Sequence, residues 1–595
     1  MMAQKPNTQV TPGSLDEAIA RGEELLGIDP NAALQQAQVI LRKDGREPRA
    51  LRIAAAAHRA RGEHQYAARA ELVALEEGRR YPDLQQAAKA LAEGDFARAS
   101  ELAAQHIRAF PKDLAGLTLS AESALGIGLT DKAIPLLRAV LERAPGFGHA
   151  RVLLVNALML SDQLVDARKE LDFLLASAPD NRSLLALSNR LSNGAGNFEA
   201  CVRTTERLLT LEPKSPDLHA DHADALRFSG RREEALEAYR RALELAPDHA
   251  RSWWSMADLD ASSITDADVS ALRGLIAGES IPAEAKTNLH FALAIALHAR
   301  GEHDEAFAQF ASGNAVRAKQ EPHSASQFHA RMMDQLERLR APGGLPSAAA
   351  GSKPVTPVFM VGMPRAGSTL LERMLAQSPR VEALGELQII PHMVKRLELT
   401  QGSEKLNEVI ADLSPETLAA QGKWYCERMA EAMRTDADLA IDKMHMNWRH
   451  LSLILRAMPE ARIIDIRRNP MDCCWSNYRT LFSKGHAASN DLHDIGRFYS
   501  TYVEFTDGMR EAFPDRIMLV RYEELVDEPG RVLNAVAAFL GIPYEETMLD
   551  FHRSKAPVAT ASSEQVRQPL NRRGIGSWQA YVDHLAPLRE ALGDD

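Results

Sequence analysis

Residues Pro357–Pro379, PVFMVGMPRAGSTLLERMLAQSP, decide how the second half of this 595-residue chain folds. Val358–Val361 is a short apolar run suited to a buried parallel strand. GMPRAGST follows, and then LLERMLAQ with helical spacing. A strand, a glycine-bearing loop and a helix start together make an anion site, because free backbone N–H groups and the helix dipole face one point. Gly362 and Gly367 have the separation found in the nucleoside-triphosphate loop GxxxxGK[ST]. Ser368 stands where that loop has its lysine, and Arg365 lies inside the loop with hydroxyls at Ser368 and Thr369. This set suits an anion of lower charge than a triphosphate with magnesium, held by a guanidinium fork, hydroxyls and backbone N–H groups.

A second segment, Ala461–Arg479, ARIIDIRRNPMDCCWSNYR, has the same kind of grammar. Arg462–Ile466 reads as a strand with Arg467 and Arg468 at its C-terminal end. Asn469-Pro470 opens a helix that carries Ser476. In this order the two segments resemble those of sulfotransferases that use 3′-phosphoadenosine-5′-phosphosulfate, especially the tyrosylprotein kind and bacterial forms fused to repeats. The resemblance implies that Arg365, Ala366, Gly367, Ser368, Thr369 and Leu370 hold the 5′-phosphosulfate, and that Arg468 and Ser476 hold the 3′-phosphate. Tyrosylprotein sulfotransferases place a further arginine four residues after the serine. Here Thr480 stands there, with Arg479 one place earlier. Arg467 reads as a surface ion-pair residue, and Cys473, Cys474 and Trp475 as helix packing.

Sulfuryl transfer needs a base for the acceptor hydroxyl and positive charge on the transferring and leaving oxygens. By resemblance the base is Glu386, in VEALGELQIIP after the phosphate-loop helix. A buried glutamate with a raised pKa would serve near neutrality. Lys443, in AIDKMHMNW, follows a short apolar strand and is implied as the group that donates to the bridging oxygen, with Arg365 sharing the charge. Asp442 reads as structural and His445 as a weaker rival for the base. The segment from Ile517 resembles the family's strand followed by Tyr-Glu-x-Leu, which puts Tyr522 on the 3′-phosphate side. The segment from Ser562 resembles the closing segment over the nucleotide, with Ser562 at the 5′-phosphosulfate position. Ser577 replaces the family lysine before Trp578, which leaves Arg572 or Arg573 to supply the charge. No metal is expected.

Upstream the grammar is different. Prolines recur at Pro48, Pro82, Pro111, Pro145, Pro179, Pro213 and Pro247, at intervals of 34, 29, 34, 34, 34 and 34. That period is the tetratricopeptide one. Small residues recur twelve places before each proline from Pro82 on, at Ala70, Ala99, Ala133, Ala167, Cys201 and Ala235, and turn glycines occur at Gly94, Gly128, Gly196 and Gly230. Gly301 and Ala306 repeat the spacing, while Ser262–Ala285 breaks it. Stacked helix pairs build a continuous core and a concave groove. The groove reads as a docking surface for a peptide or protein, with a spacer or homodimerisation arm as the plainer use. His222 and His290 read as packing or surface residues.

The expected organisation is therefore a tetratricopeptide-like helical array over 1–339, a Pro/Gly/Ser/Ala-rich linker over 340–356, and an α/β, P-loop-like sulfotransferase domain with a parallel sheet over 357–595. A net charge of −11 argues against a nucleic-acid coat. The polar start and the absence of a long apolar stretch argue against secretion or a membrane span. Four cysteines without metal spacing suit the cytoplasm. The expected reaction moves a sulfuryl group to a hydroxyl of a protein, glycan or small molecule, a protein tyrosine being the acceptor the resemblance favours. The rival readings are an interaction scaffold with an inactive transferase domain and a P-loop kinase-like enzyme. The first is opposed by Glu386 and Lys443, the second by the missing lysine.

Overall fold

The structure is a computed structural model that describes residues 14–278, 281–341, 347–348, 355–401, 406–483, 485–553 and 568–593. The chain divides into two compact units, one ending at Leu184 and one beginning at Leu185.

The first unit is helical throughout its described residues, from Leu15–Leu26 to Leu164–Ser177. The repeat marks have the expected physical roles. Gly94, Gly128, Gly196, Gly230 and Gly301 all adopt positive φ at turns between helices. Ala99, Ala133, Ala167, Cys201 and Ala235 are buried where paired helices meet. The first repeat deviates: Ala70 is only half-buried and Ala67 takes the close-packing place. Pro48 and Pro82 open helices, at a position where a missing N–H costs nothing. The stretch that breaks the period forms a 3-10 turn and one helix, Asp266–Ala277, started by a capping box at Thr265.

The second unit contains the later helices and the sheet. Three of these helices matter for the site: α1 (Ala283–Ala299), α2 (His303–Gln320) and α3 (Ala325–Arg340). Five strands follow, β1 (Thr356–Gly362), β2 (Val381–Ala383), β3 (Leu439–Asp442), β4 (Arg462–Arg467) and β5 (Ile517–Arg521). They form one parallel sheet in the order β2-β3-β1-β4-β5. β1 sits centrally, with Val358 opposite Arg462 on β4 and Thr356 opposite Leu439 on β3. Its run is buried from Pro357 to Gly362, as a strand covered on both faces requires.

α1–α3 are packed into the same hydrophobic core as the sheet domain. Phe307 on α2 stacks on Trp475, with ring centroids 6.1 Å apart. Phe328 on α3 stacks on Phe498 at 4.5 Å and meets the edge of Trp448 at 5.8 Å. Gln335 donates to the Arg449 carbonyl at 3.3 Å. The expected linker, 340–356, lies largely outside the described residues; by compactness the chain divides between Leu184 and Leu185.

Candidate active site

Each strand of the sheet ends at a residue singled out from sequence. Arg365 follows β1, Glu386 follows β2, Lys443 follows β3, Arg468 follows β4 and Tyr522 follows β5. The carboxyl edge of an open parallel sheet is where the connecting loops diverge and leave a crevice.

The loop after β1 is tightly constrained. Arg365 has φ +65° and Gly367 φ +103°. A Cβ on Gly367 would lie 2.4 Å from the Tyr522 ring, so only glycine fits between the loop and that tyrosine. Gly367 leads into α4 (Ser368–Leu375), which starts without a side-chain cap, so its first N–H groups have no capping side chain. The Pro364 carbonyl accepts from Asn477 Nδ2 at 2.7 Å, which ties the loop to α5 (Pro470–Tyr478). Arg365 Nε donates to Ser476 Oγ at 3.4 Å, so the two phosphate segments touch.

Arg468 is buried, its guanidinium 5.4 Å from the Tyr522 ring centroid. Nη1 donates to the Arg365 carbonyl at 3.0 Å, and Nη2 donates to the Gly574 carbonyl. The Arg468 carbonyl accepts from the Tyr499 hydroxyl at 2.8 Å. Asp472, one turn into α5, accepts from the Gly576 N–H at 2.7 Å and the Ser577 hydroxyl at 3.0 Å. It thereby pins the turn before Trp578 against the start of that helix. Trp578 is half-buried and its N–H faces the same carboxylate at 3.4 Å.

Arg365, Gly367, Thr369, Leu370, Arg468, Ser476, Arg479, Tyr522 and Arg573 line one cavity of about 320 Å³. Ala366 and Ser368 are buried in the same loop. Arg573 faces the cavity, whereas Arg572 pairs with Asp527 at 3.2 Å. Ser562 lies outside the described residues. Burial, then Arg479 and Arg468, push the Arg365 guanidinium down to about 10. Cations that destabilise one another around a cavity are what an anion would relieve.

The second cluster lies after β2 and β3. Lys443 is buried, and its Nζ donates to Glu386 Oε1 at 2.9 Å. His445 Nδ1 lies 3.9 Å from the same oxygen. Glu386 differs from the expectation of a buried, raised-pKa carboxyl: its side chain is 40% exposed. Partial burial alone would raise its pKa, but Lys443 and His445 outweigh this and hold the carboxyl below its usual value. Lys443 is moved the other way: burial lowers its pKa, and Glu372 and Glu386 more than restore it. Glu372 on α4 is buried, and burial raises its carboxyl. Burial leaves His445 titrating at about 3, and its ring stacks on His486 at 5.6 Å. Asp442 is fully enclosed, accepting from Tyr425 and Asn447 at 2.9 and 3.2 Å, as a structural residue does.

Arg467 is not on an exposed face. It is buried, bonded to Asp465 at 2.9 Å and Asp507 at 2.6 Å, and it braces β4 rather than the cavity. Cys473, Cys474 and Trp475 are wholly buried packing residues. Sequence reasoning passed over Asn477, Asp472, Tyr499 and Glu372. It left Arg479 in doubt because that arginine is one position out of the family register. The one available signal was its place at the end of a helix that already carried Ser476.

Residues 357–546 match the sulfotransferase family, and residues 124–191 match the tetratricopeptide repeat. An uncharacterized protein of Aquifex aeolicus (strain VF5) is 28% identical over 372 residues, which are 61% of this chain and 48% of that protein. A protein-tyrosine sulfotransferase of Drosophila melanogaster is 22% identical over 256 residues, 40% of this chain and 51% of that one. Protein-tyrosine sulfotransferase 1 of Danio rerio is 24% identical, covering 43% of this chain and 77% of that one. The chain thus spans about half the length of the first two relatives. Among solved structures, the sulfotransferase domain of the Synechococcus PCC 7002 olefin synthase is 23% identical, covering 39% of this chain and 90% of that chain with a TM-score of 0.29.

Proposed function

Given a sulfotransferase-family domain carried behind tetratricopeptide repeats, we propose that this chain transfers a sulfuryl group from 3′-phosphoadenosine-5′-phosphosulfate to a hydroxyl. The observation that carries this reading is the single cavity lined by Arg365, Arg468, Ser476, Arg479 and Tyr522. The β1 loop with the start of α4 takes the phosphosulfate end of the donor, and Arg468 with Ser476 takes the 3′-phosphate. Ser562 is proposed as a further 5′-end contact.

Glu386 takes the proton of the acceptor hydroxyl, and its exposure leaves it open to an incoming substrate. As the acceptor oxygen bonds to sulfur, the bond from sulfur to the bridging phosphate oxygen breaks. Lys443 and Arg365 offset the charge that builds on that oxygen, and adenosine 3′,5′-bisphosphate leaves. A resting Lys443–Glu386 pair keeps both groups charged and close to each other before substrates arrive. No metal enters this scheme.

A protein tyrosine is the proposed acceptor. The protein-tyrosine sulfotransferase relatives support it, as do repeats suited to binding a protein. A second cavity of about 840 Å³, between α3 and the Ile389–Gln401 helix, supports an extended acceptor. Phe328, Arg331, Met332, Val394 and Arg449 line it, and the Arg449 charge is felt at His445 beside Glu386.

Calorimetric titration separates this from a kinase-like reading. The phosphosulfate donor and adenosine 3′,5′-bisphosphate should bind in competition, and ATP with magnesium should not displace them. Preferential ATP binding would reject the proposal. A proteome incubated with enzyme and donor, then searched by mass spectrometry for added sulfate on tyrosine, tests the acceptor.

A further inference from the structure

We propose that His298, which belongs to the helical array and not to the sulfotransferase domain, is a positioning residue for the donor: it holds the Arg479 guanidinium at the cavity wall. This rests on the donor reading given above.

Arg479 is the C-cap residue of α5, and its side chain lines the cavity. Its Nη1 donates to His298 Nε2 at 3.4 Å. The other ring nitrogen, Nδ1, lies 2.8 Å from the Tyr581 hydroxyl. Since Arg479 can only donate, Nε2 is the acceptor and the ring proton sits on Nδ1, pointing to Tyr581. Burial, then Arg479 and His303, keep His298 neutral down to about 4, so the acceptor nitrogen is available throughout the physiological range.

The choice of a neutral acceptor has a consequence for charge. Among the described residues Arg479 forms no ion pair. A carboxylate in the place of His298 would orient the guanidinium equally well but would cancel its charge. An imidazole fixes the direction and leaves the positive field for the ligand.

The array braces the same spot twice more. Asn314 on α2 donates to the Tyr478 carbonyl at 2.8 Å, one residue before Arg479. Arg317 donates to the Phe482 carbonyl, just after it. Tyr581 is itself fixed, 1% exposed, with its ring 4.3 Å from that of Trp475 on α5. Helices of repeat type therefore form the second layer of a nucleotide cavity.

The test uses the full chain and adenosine 3′,5′-bisphosphate as the probe, with dissociation constants read by calorimetry and thermal melts as a fold control. His298→Ala should weaken binding about fivefold, the net scale of one ordinary hydrogen bond, with the melt little changed. His298→Gln, whose amide oxygen reaches the Nε2 place, should restore affinity to within about twofold. His298→Asn, whose amide reaches only the Nδ1 place, should not. In an Arg479→Ala background, His298→Ala should cause no further loss, because the two act as one unit. Unchanged affinity in both His298→Ala and His298→Asn, or full additivity with Arg479→Ala, would overturn the inference while leaving the donor reading intact. Failure of the unmodified chain to bind the probe would instead overturn the donor reading and this inference with it.

Discussion

The cavity and the carboxylate–lysine cluster at the carboxyl edge of the sheet handle charge in opposite ways. The proposed donor cavity gathers Arg365, Arg468, Arg479 and Arg573, and the carboxylate paired with Arg468, Asp472, also holds the Gly576–Trp578 turn. Beyond β2 and β3 the arrangement is balanced, with Lys443 set between Glu386 and the buried Glu372. Excess cation in the first place suits a ligand that arrives with its own negative charge. Internal balance in the second suits groups that must keep fixed protonation states until a proton moves. Under the proposed function, binding falls to the first and chemistry to the second.

Four experiments would break or sharpen that contrast. The largest effect is expected from removing residues 1–339, because α2 and α3 form a wall of the core around the sheet: Phe307 stacks on Trp475 and Phe328 packs on Trp448. Circular dichroism should show loss of a cooperative melt, since stripping several buried aromatic contacts costs on the order of the whole stability of a domain. A truncated domain that melts sharply and binds donor would show the wall to be dispensable. Next, Glu386→Gln should slow transfer by about 10²-fold or more, with donor affinity within about twofold. A loss of affinity instead would make the cluster part of the donor site. Arg468→Ala should do the reverse, weakening donor binding by about tenfold or more, read by calorimetry, with the fold retained.

The smallest effect is one of shape. Glu386 is held below the usual carboxylate pKa, so it is ionised as a base above that value and is lost only as pH falls through it. His445 and His486 titrate at about 3 and about 4, and remain neutral above those values. The rate profile should accordingly be flat from about pH 6 to 8. An inflection near pH 6.5 would move the base from Glu386 to a histidine and unsettle the assignment of roles.

Much of this was legible before any coordinates. The 34-residue period reports helix pairs directly, since each turn glycine and each small packing residue answers a steric demand of its own repeat. The strand-end residues were legible because a strand followed by a loop and a helix start fixes where a side chain must sit. The missing parts depend on distance across the fold. Nothing in the local sequence says that Asn477 reaches the Pro364 carbonyl, or that Asp472 captures a turn 104 residues away. The pKa of Glu386 was misjudged for the same reason: its surroundings are Lys443 and His445, which come from a different strand end. Arg467 and Arg468 are adjacent letters, yet one braces β4 and the other faces the cavity. Only strand alternation, which sends neighbouring side chains to opposite faces, tells them apart.

Arg365 carries a consequence of its own. With φ at +65°, glycine, which has no Cβ, would sit there at ease, whereas arginine tolerates the twist at a cost of about 1–2 kcal/mol. Under the proposed function, selection for a sturdier fold and selection for a grip on the donor therefore pull this codon in opposite directions. A lineage that abandoned the reaction while keeping the scaffold would be expected to record the change here early, as a drift toward glycine, asparagine or aspartate.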